Sequence, residues 1–191
     1  MDNPFRRIFI ALPVNDDVII QSLSSVVDNL TKYRSILKIV SPINYHITVK
    51  FFGQVESNIV ESLTESFLSL TQLNMVNYNI DKISAFSTKG NPSVIWAGLK
   101  CSEEPLINII NSINELSLLF KFPVEKRKFI PHLTLARIKN NEKVPLELKN
   151  YLNSNIELKS FSSVFNELIL FESILKKTGP EYKKLGVINL I

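Results

Sequence analysis

The sequence predicts an α+β fold of two duplicated βαβ-type lobes whose antiparallel sheets face a central cleft, and three observations carry the prediction. The only two histidines open the same phrase, Tyr45-His46-Ile47-Thr48-Val49 and Pro131-His132-Leu133-Thr134-Leu135. The order strand, helix, His-Thr strand occurs once in each half of the chain. A single shift of 86 positions superposes His46 on His132, Thr48 on Thr134, Ile8-Phe9-Ile10-Ala11 on Val94-Ile95-Trp96-Ala97, and Leu23 on Ile109. A shared offset of this kind is the mark of internal repetition. The chain holds seven threonines in 191 residues, so chance places Thr two positions after both histidines only about once in a thousand.

The elements follow in order. Residues 7–12 (RIFIAL) form a β-branched and aromatic run that reads as a strand. Val18, Leu23, Val27 and Leu30 recur at helical spacing, predicting a helix over 16–33. The first His-Thr strand is closed by Gly53. Asn58-Ile59-Val60-Glu61 reads as a capped helix start, with Leu63, Phe67 and Leu70 continuing its apolar stripe. Alternation over 76–83 predicts another strand.

The second half repeats the order with a strand over 93–99 and an amphipathic helix over 103–120, Leu106, Ile109, Ile110, Ile113 and Leu116 inward. The second His-Thr strand, a short helix over 146–152 and a last strand over 165–171 complete it. Thr88-Lys89-Gly90-Asn91-Pro92 is a turn, not a tether. The chain is therefore expected to be a single domain, 1–191, of two packed pseudo-symmetric lobes with approximate repeats 5–88 and 91–175.

Composition narrows the class. An apolar content of 45% excludes a disordered chain. A net charge of +4 and a pI near 9.1 tilt toward polyanionic partners. Cys101 is the only cysteine, which excludes an internal disulfide and suits a reducing compartment. Ser102-Glu103-Glu104 disfavour a thiolate there. The apolar run 8–12 is short, ends at Pro13 and is followed by Asp16 and Asp17, so no signal peptide is expected. No stretch approaches the ~20 apolar residues of a membrane span. The expectation is a soluble, cytoplasmic protein with no membrane partner.

Side chains two apart on a strand share a face. Alternation thus places His46, Thr48, Lys50 and Phe52 on one face, with Tyr45, Ile47, Val49 and Phe51 toward the core. His132 and Thr134 share a face, with Leu133 and Leu135 opposite. Two imidazoles flanking one atom suit displacement at phosphorus: one deprotonates the attacking oxygen and the other protonates the leaving oxygen, typically about 10²–10⁴-fold per positioned group. Threonine hydroxyls can donate to the non-bridging oxygens. Two histidines without Asp, Glu or Cys at ligand spacing make a poor zinc set, so neither metal nor cofactor is expected. Arg137 lies five residues after His132; ideal alternation turns it away unless a bulge or the strand end re-aims it. Lys50 has the better parity. Phe51 and Phe52 suit either core packing or stacking on a base.

At these residues the chain resembles the two-histidine phosphoesterase superfamily, and within it the RNA 2',3'-cyclic phosphodiesterases once described as 2'-5' RNA ligases. The likeness runs through Arg7-Ile8-Phe9-Ile10-Ala11, His46-Ile47-Thr48-Val49-Lys50-Phe51-Phe52-Gly53, Trp96-Ala97-Gly98, and Phe129-Ile130-Pro131-His132-Leu133-Thr134-Leu135-Ala136-Arg137. It ends in Ser173 to Gly179 and Tyr182. Phe52 departs from the Leu more frequent there.

The resemblance implies a bilobal fold and metal-independent hydrolysis of a 2',3'-cyclic phosphate at an RNA 3' end, leaving a 2'-phosphate. It implies that His46 is the proton donor and His132 the proton acceptor, with Thr48, Thr134 and Arg137 binding substrate. The expected partner is RNA with a cyclic-phosphate 3' end, or a small cyclic nucleotide, acted on by a monomer. A non-catalytic module that only binds RNA ends is the competing class.

Overall fold

The computed structural model describes residues 4–88, 90–125, 127–139, 142–154, 156, 158, 161–177 and 179–191. Strand β1 (Phe5–Pro13) buries Ile8, Phe9, Ile10, Ala11 and Leu12 in succession, because both of its faces are covered. Asp16 caps α1 (Asp17–Ser22), its carboxylate accepting from Val18 N at 2.8 Å and Ile19 N at 3.2 Å. The single helix expected over 16–33 is instead broken at Leu23. Ser22 Oγ donates back to the Ile19 carbonyl at 2.7 Å, competing with the backbone ladder, and α2 (Ser24–Thr31) restarts beyond. The buried stripe is Ile19, Leu23, Val26 and Leu30, which leaves Val18 and Val27 off it.

Strand β2 (Leu37–Ile39) and a 3-10 turn (Pro42–Asn44) lead into β3 (His46–Glu56). β3 passes through Gly53, at φ +80°, and does not end there. Helix α3 (Ser57–Leu68) begins ahead of Asn58: Ser57 N and Oγ both donate to the Pro4 carbonyl, so Asn58 lies inside the helix. Strands β4 (Val76–Thr88) and β5 (Asn91–Cys101) form a hairpin through Gly90, at φ +77°. Lys89 of the expected turn lies outside the described residues, as does Thr178 of the C-terminal motif. Helix α4 (Glu103–Leu119) buries Leu106, Ile109, Ile113 and Leu116.

Strand β6 (His132–Ile138) and α5 (Leu146–Asn153) come next, followed by β7 (Ser162–Phe165), β8 (Glu167–Lys176) and β9 (Gly179–Asn189). The single last strand expected over 165–171 is thus three strands. Asn166 separates β7 from β8, and β9 lies at a sheet edge where lysines and glycines hide its alternation.

All strand pairs are antiparallel, in two sheets ordered β3-β1-β8-β9 and β2-β6-β5-β4-β7. The sheets exchange strands. β8, from the C-terminal half, completes the sheet of β1, while β2 and β4, from the N-terminal half, complete the sheet of β5. One apolar core joins both sheets to the helices, with Ile10, Ile47, Phe67, Ile95, Ile109, Leu133 and Leu168 among its members. A smaller cluster of Phe9, Ala11, Ile169 and Phe171 occupies the other face of the first sheet. Across β1 and β8, Arg6 grips Glu172 with two hydrogen bonds of 3.0 and 2.6 Å.

Pairing corrects the repeat register. Thr48 pairs with Ala11 and Thr134 with Trp96, so the central strands β1 and β5 are offset by 85 positions while the motif strands are offset by 86. Among the described residues no helix is long and apolar enough to cross a membrane.

Candidate active site

His46 and His132 are the first residues of β3 and β6, and these two strands touch where the sheets meet. Each imidazole is tied down in the same way. His46 Nδ1 lies 2.7 Å from the Asn44 carbonyl and His132 Nδ1 lies 2.8 Å from the Ile130 carbonyl, in both cases two residues back. A carbonyl only accepts, so Nδ1 carries the hydrogen in each ring. Nε2 is left on both rings to take or give a proton.

Aromatic rings buttress both imidazoles, in each case one from the neighbouring central strand and one from a further strand. His46 meets Phe9 of the central strand β1 at 5.2 Å and the edge of Tyr182 at 5.3 Å between ring centroids. His132 meets Trp96 of the central strand β5 at 6.0 Å and Phe86 at 4.9 Å. Phe86 escaped the sequence reading because β4 runs five residues beyond the alternation that announced it.

Two bulges decide which cations share the histidine faces. In β6, Thr134 pairs with Trp96 and Ala136 with Ile95, leaving Leu135 without a partner on β5. Leu135 and Ala136 are both buried, and Arg137 returns to the face of His132 and Thr134. The parity objection to Arg137 is thereby removed. In β3, Thr48 pairs with Ala11 and Lys50 with Ile10, leaving Val49 unpaired. Ile10 faces the main core, so Lys50 leaves the His46 face, contrary to ideal alternation. Its ammonium donates to the Pro123 carbonyl. Burial lowers its pKa, partly offset by Glu125.

Phe51, expected toward the core, is exposed opposite Phe9, with the Arg7 guanidinium 4.6 Å above its ring. Phe52 packs on Phe122 at 4.9 Å.

A cleft of about 1010 Å³ opens at this seam, lined by Arg7, Lys38, His46, Arg137, Phe171 and Tyr182 among others. Thr48, His132 and Thr134 lie outside that lining, on the strand faces that carry His46 and Arg137. Burial holds the His46 pKa below its ordinary value, and the charges of Arg137 and His132 push it the same way; the Asn44 carbonyl opposes them. Desolvation raises the Tyr182 pKa, against the pull of Arg137 and Arg7, so both guanidiniums act on the ring that packs on His46. Cys101 is no nucleophile: burial, not its acidic neighbours, pushes its thiol up to about 12.

Two interleaved α+β lobes, each presenting an anchored histidine and a threonine at one seam, define a two-histidine phosphoesterase. Comparison with known proteins agrees. The sequence model of the LigT like phosphoesterases matches residues 14–96 and 99–182. An Archaeoglobus fulgidus protein described as an RNA 2',3'-cyclic phosphodiesterase is 31% identical over 186 residues, 95% of this chain and 98% of its own. An Aeropyrum pernix protein of the same description is 30% identical over 149 residues, 78% of this chain and 84% of its own. The TT0787 crystal structure from Thermus thermophilus shares the fold with a TM-score of 0.75 at 21% identity, covering 96% and 97% of the two chains. The chain belongs to the LigT-like phosphoesterase family.

Proposed function

We propose that the chain hydrolyses the 2',3'-cyclic phosphodiester at RNA 3' ends to a 2'-phosphomonoester, using side chains alone. Water attacks phosphorus and gives a proton to His132 Nε2. The bond from phosphorus to the 3' oxygen breaks, and His46 Nε2 delivers its proton to that oxygen. Thr48, Thr134 and Arg137 bind the phosphoryl oxygens as charge builds on them. Exchange with solvent then restores both imidazoles. One copy of the chain, as a single domain, carries every group.

The observation that carries this reading is the matched anchoring of the two rings. Binding alone needs no pair of proton-transfer groups with Nε2 free on both. The substrate follows the relatives described as RNA 2',3'-cyclic phosphodiesterases. A lowered His46 pKa leaves a stronger acid, and a phosphate anion beside it offsets the push of Arg137 and His132.

The test is incubation of cyclic-phosphate-ended RNA with the protein and its His46→Ala and His132→Ala variants. The 2'-phosphate is the expected product, lost in both variants and unaffected by chelators. A 3'-phosphate product would overturn the assigned roles, and turnover by either variant would overturn the mechanism.

A further inference from the structure

Lys38 and Arg137 are directly paired residues of the β2–β6 ladder. Paired residues share a face, about 5 Å apart at Cα, and like charges placed opposite one another are destabilising. Both side chains line the cleft that holds His46. Among the described residues neither is ion-paired: the cleft's Glu181 is engaged by Lys176, and Lys184 turns to Glu167. An uncompensated pair of cations lining a cleft is a structural cost without a structural return. It is an asset only when an anion lies between them.

The cyclic phosphodiester carries one negative charge, and the proposed mechanism already gives it Thr48, Thr134 and Arg137. Lys38 is a cation beyond that need. It stands one strand spacing, about 4.8 Å, further along the cleft from Arg137, and lysine holds phosphate as a flexible point charge. We propose that Lys38 forms a second phosphate subsite, for the group on the 5' oxygen of the nucleoside whose 2',3'-cyclic phosphate is cut. This inference rests on the hydrolase reading and sharpens it: the substrate is a cyclic phosphate bearing a further phosphate one ribose away. That group is either the upstream diester of an RNA strand or the 5'-phosphate of a small nucleotide.

Four substrates separate the possibilities: adenosine 2',3'-cyclic phosphate, its 5'-phosphorylated form, a diadenosine ending in the cyclic phosphate, and the same dinucleotide with a neutral methylphosphonate linkage. A charge-assisted contact predicts a wild-type KM about tenfold lower for the phosphodiester dinucleotide, or for the 5'-phosphate, than for the uncharged counterpart. Whichever of the two gains more identifies the source of the phosphate. Lys38→Gln should collapse that ratio to about one. It should leave the melting temperature of the free protein unchanged or raised, because a like-charge opposition is relieved. Equal KM values for charged and neutral linkages in the wild type, or a ratio that survives Lys38→Gln, would overturn the subsite. So would a collapse accompanied by a lowered melting temperature, which would mark Lys38 as structural. No turnover of any of the four would instead overturn the hydrolase reading, and the subsite with it.

Discussion

Val49 and Leu135 occupy the same position of the duplication, 86 residues apart, and each is left without a partner on its central strand. The matched bulges send the cations that follow opposite ways, because Lys50 is the first residue after its bulge and Arg137 the second after its own. After Leu135 the chain turns Arg137 into the cleft, whereas after Val49 it turns Lys50 out of it, toward the Pro123 carbonyl. Arg137→Gln should therefore lower kcat/KM on cyclic-phosphate RNA by about 10²-fold or more, the range for losing a charge-stabilising donor. Lys50→Gln should change it by less than about threefold, as for surface polar changes. Steady-state kinetics of the two variants decide it, and equal losses would refute the re-aiming.

His46 and His132 are the only histidines, so each ring resonance in a proton NMR titration is assignable from one substitution. His46 should titrate below the ordinary value of about 6.5. Arg137→Gln should move it upward by removing one of the charges that lower it. Inorganic phosphate should do the same.

The sign carries over to stability. The depressed folded pKa leaves the ring neutral in both folded and unfolded chains above about pH 6.5, while below it the unfolded chain takes up a proton that the folded one resists. Stability should then fall from about pH 6.5 downward in the wild type and less so in His46→Gln. A His46 midpoint at or above 6.5 would contradict the burial and charge argument.

Arg6 and Glu172 join β1 to β8, the strand supplied by the other half of the chain, and the neighbouring Phe171 and Ser173 line the cleft. The Arg6 hydrogen bond holds the Glu172 carboxyl below its usual pKa. Its stabilisation is present above the unfolded value of about 4.3 and is lost as pH falls through the depressed folded value. Glu172→Gln should cost about 1–2 kcal/mol at pH 7, with a smaller difference at a pH below about 4, where the carboxyl begins to take up its proton. Urea denaturation at the two pH values measures it.

What the sequence made legible, and what it hid, both follow from alternation. Periodicity located β1, β3, β5, β6 and α4, because each buries a continuous or alternating apolar run. It failed where one inserted residue resets the face: at Val49, at Leu135 and at Phe52, which is likewise unpaired. A bulge leaves no compositional trace when the inserted residue is itself apolar. β9 stayed hidden because its lysines and glycines break the alternation, and Lys38 because β2 is three residues long. The exchange of β4 and β8 between sheets is tertiary, and pairing partners far apart in sequence leave no local signal.

Gly98 stands directly opposite His132 in the β5–β6 ladder. A Cβ there would lie 2.9 Å from Trp96 Cζ3 and 3.3 Å from Lys82 Cγ. The lysine can swing aside. The indole cannot do so freely, since Trp96 is buried and its ring rests on Phe86 and His132. Gly98→Ala should therefore push the indole against the imidazole, an overpacking that costs about 1–3 kcal/mol yet leaves the sheet folded. A displacement of well under about 1 Å at a proton-transfer group is enough to lower kcat by about tenfold. The expected signature is a kcat loss larger than any change in KM, with the His132 ring resonance shifted and that of His46 unmoved. An unchanged kcat with an unmoved His132 resonance would show that Gly98 serves the strand alone and does not position the imidazole opposite it.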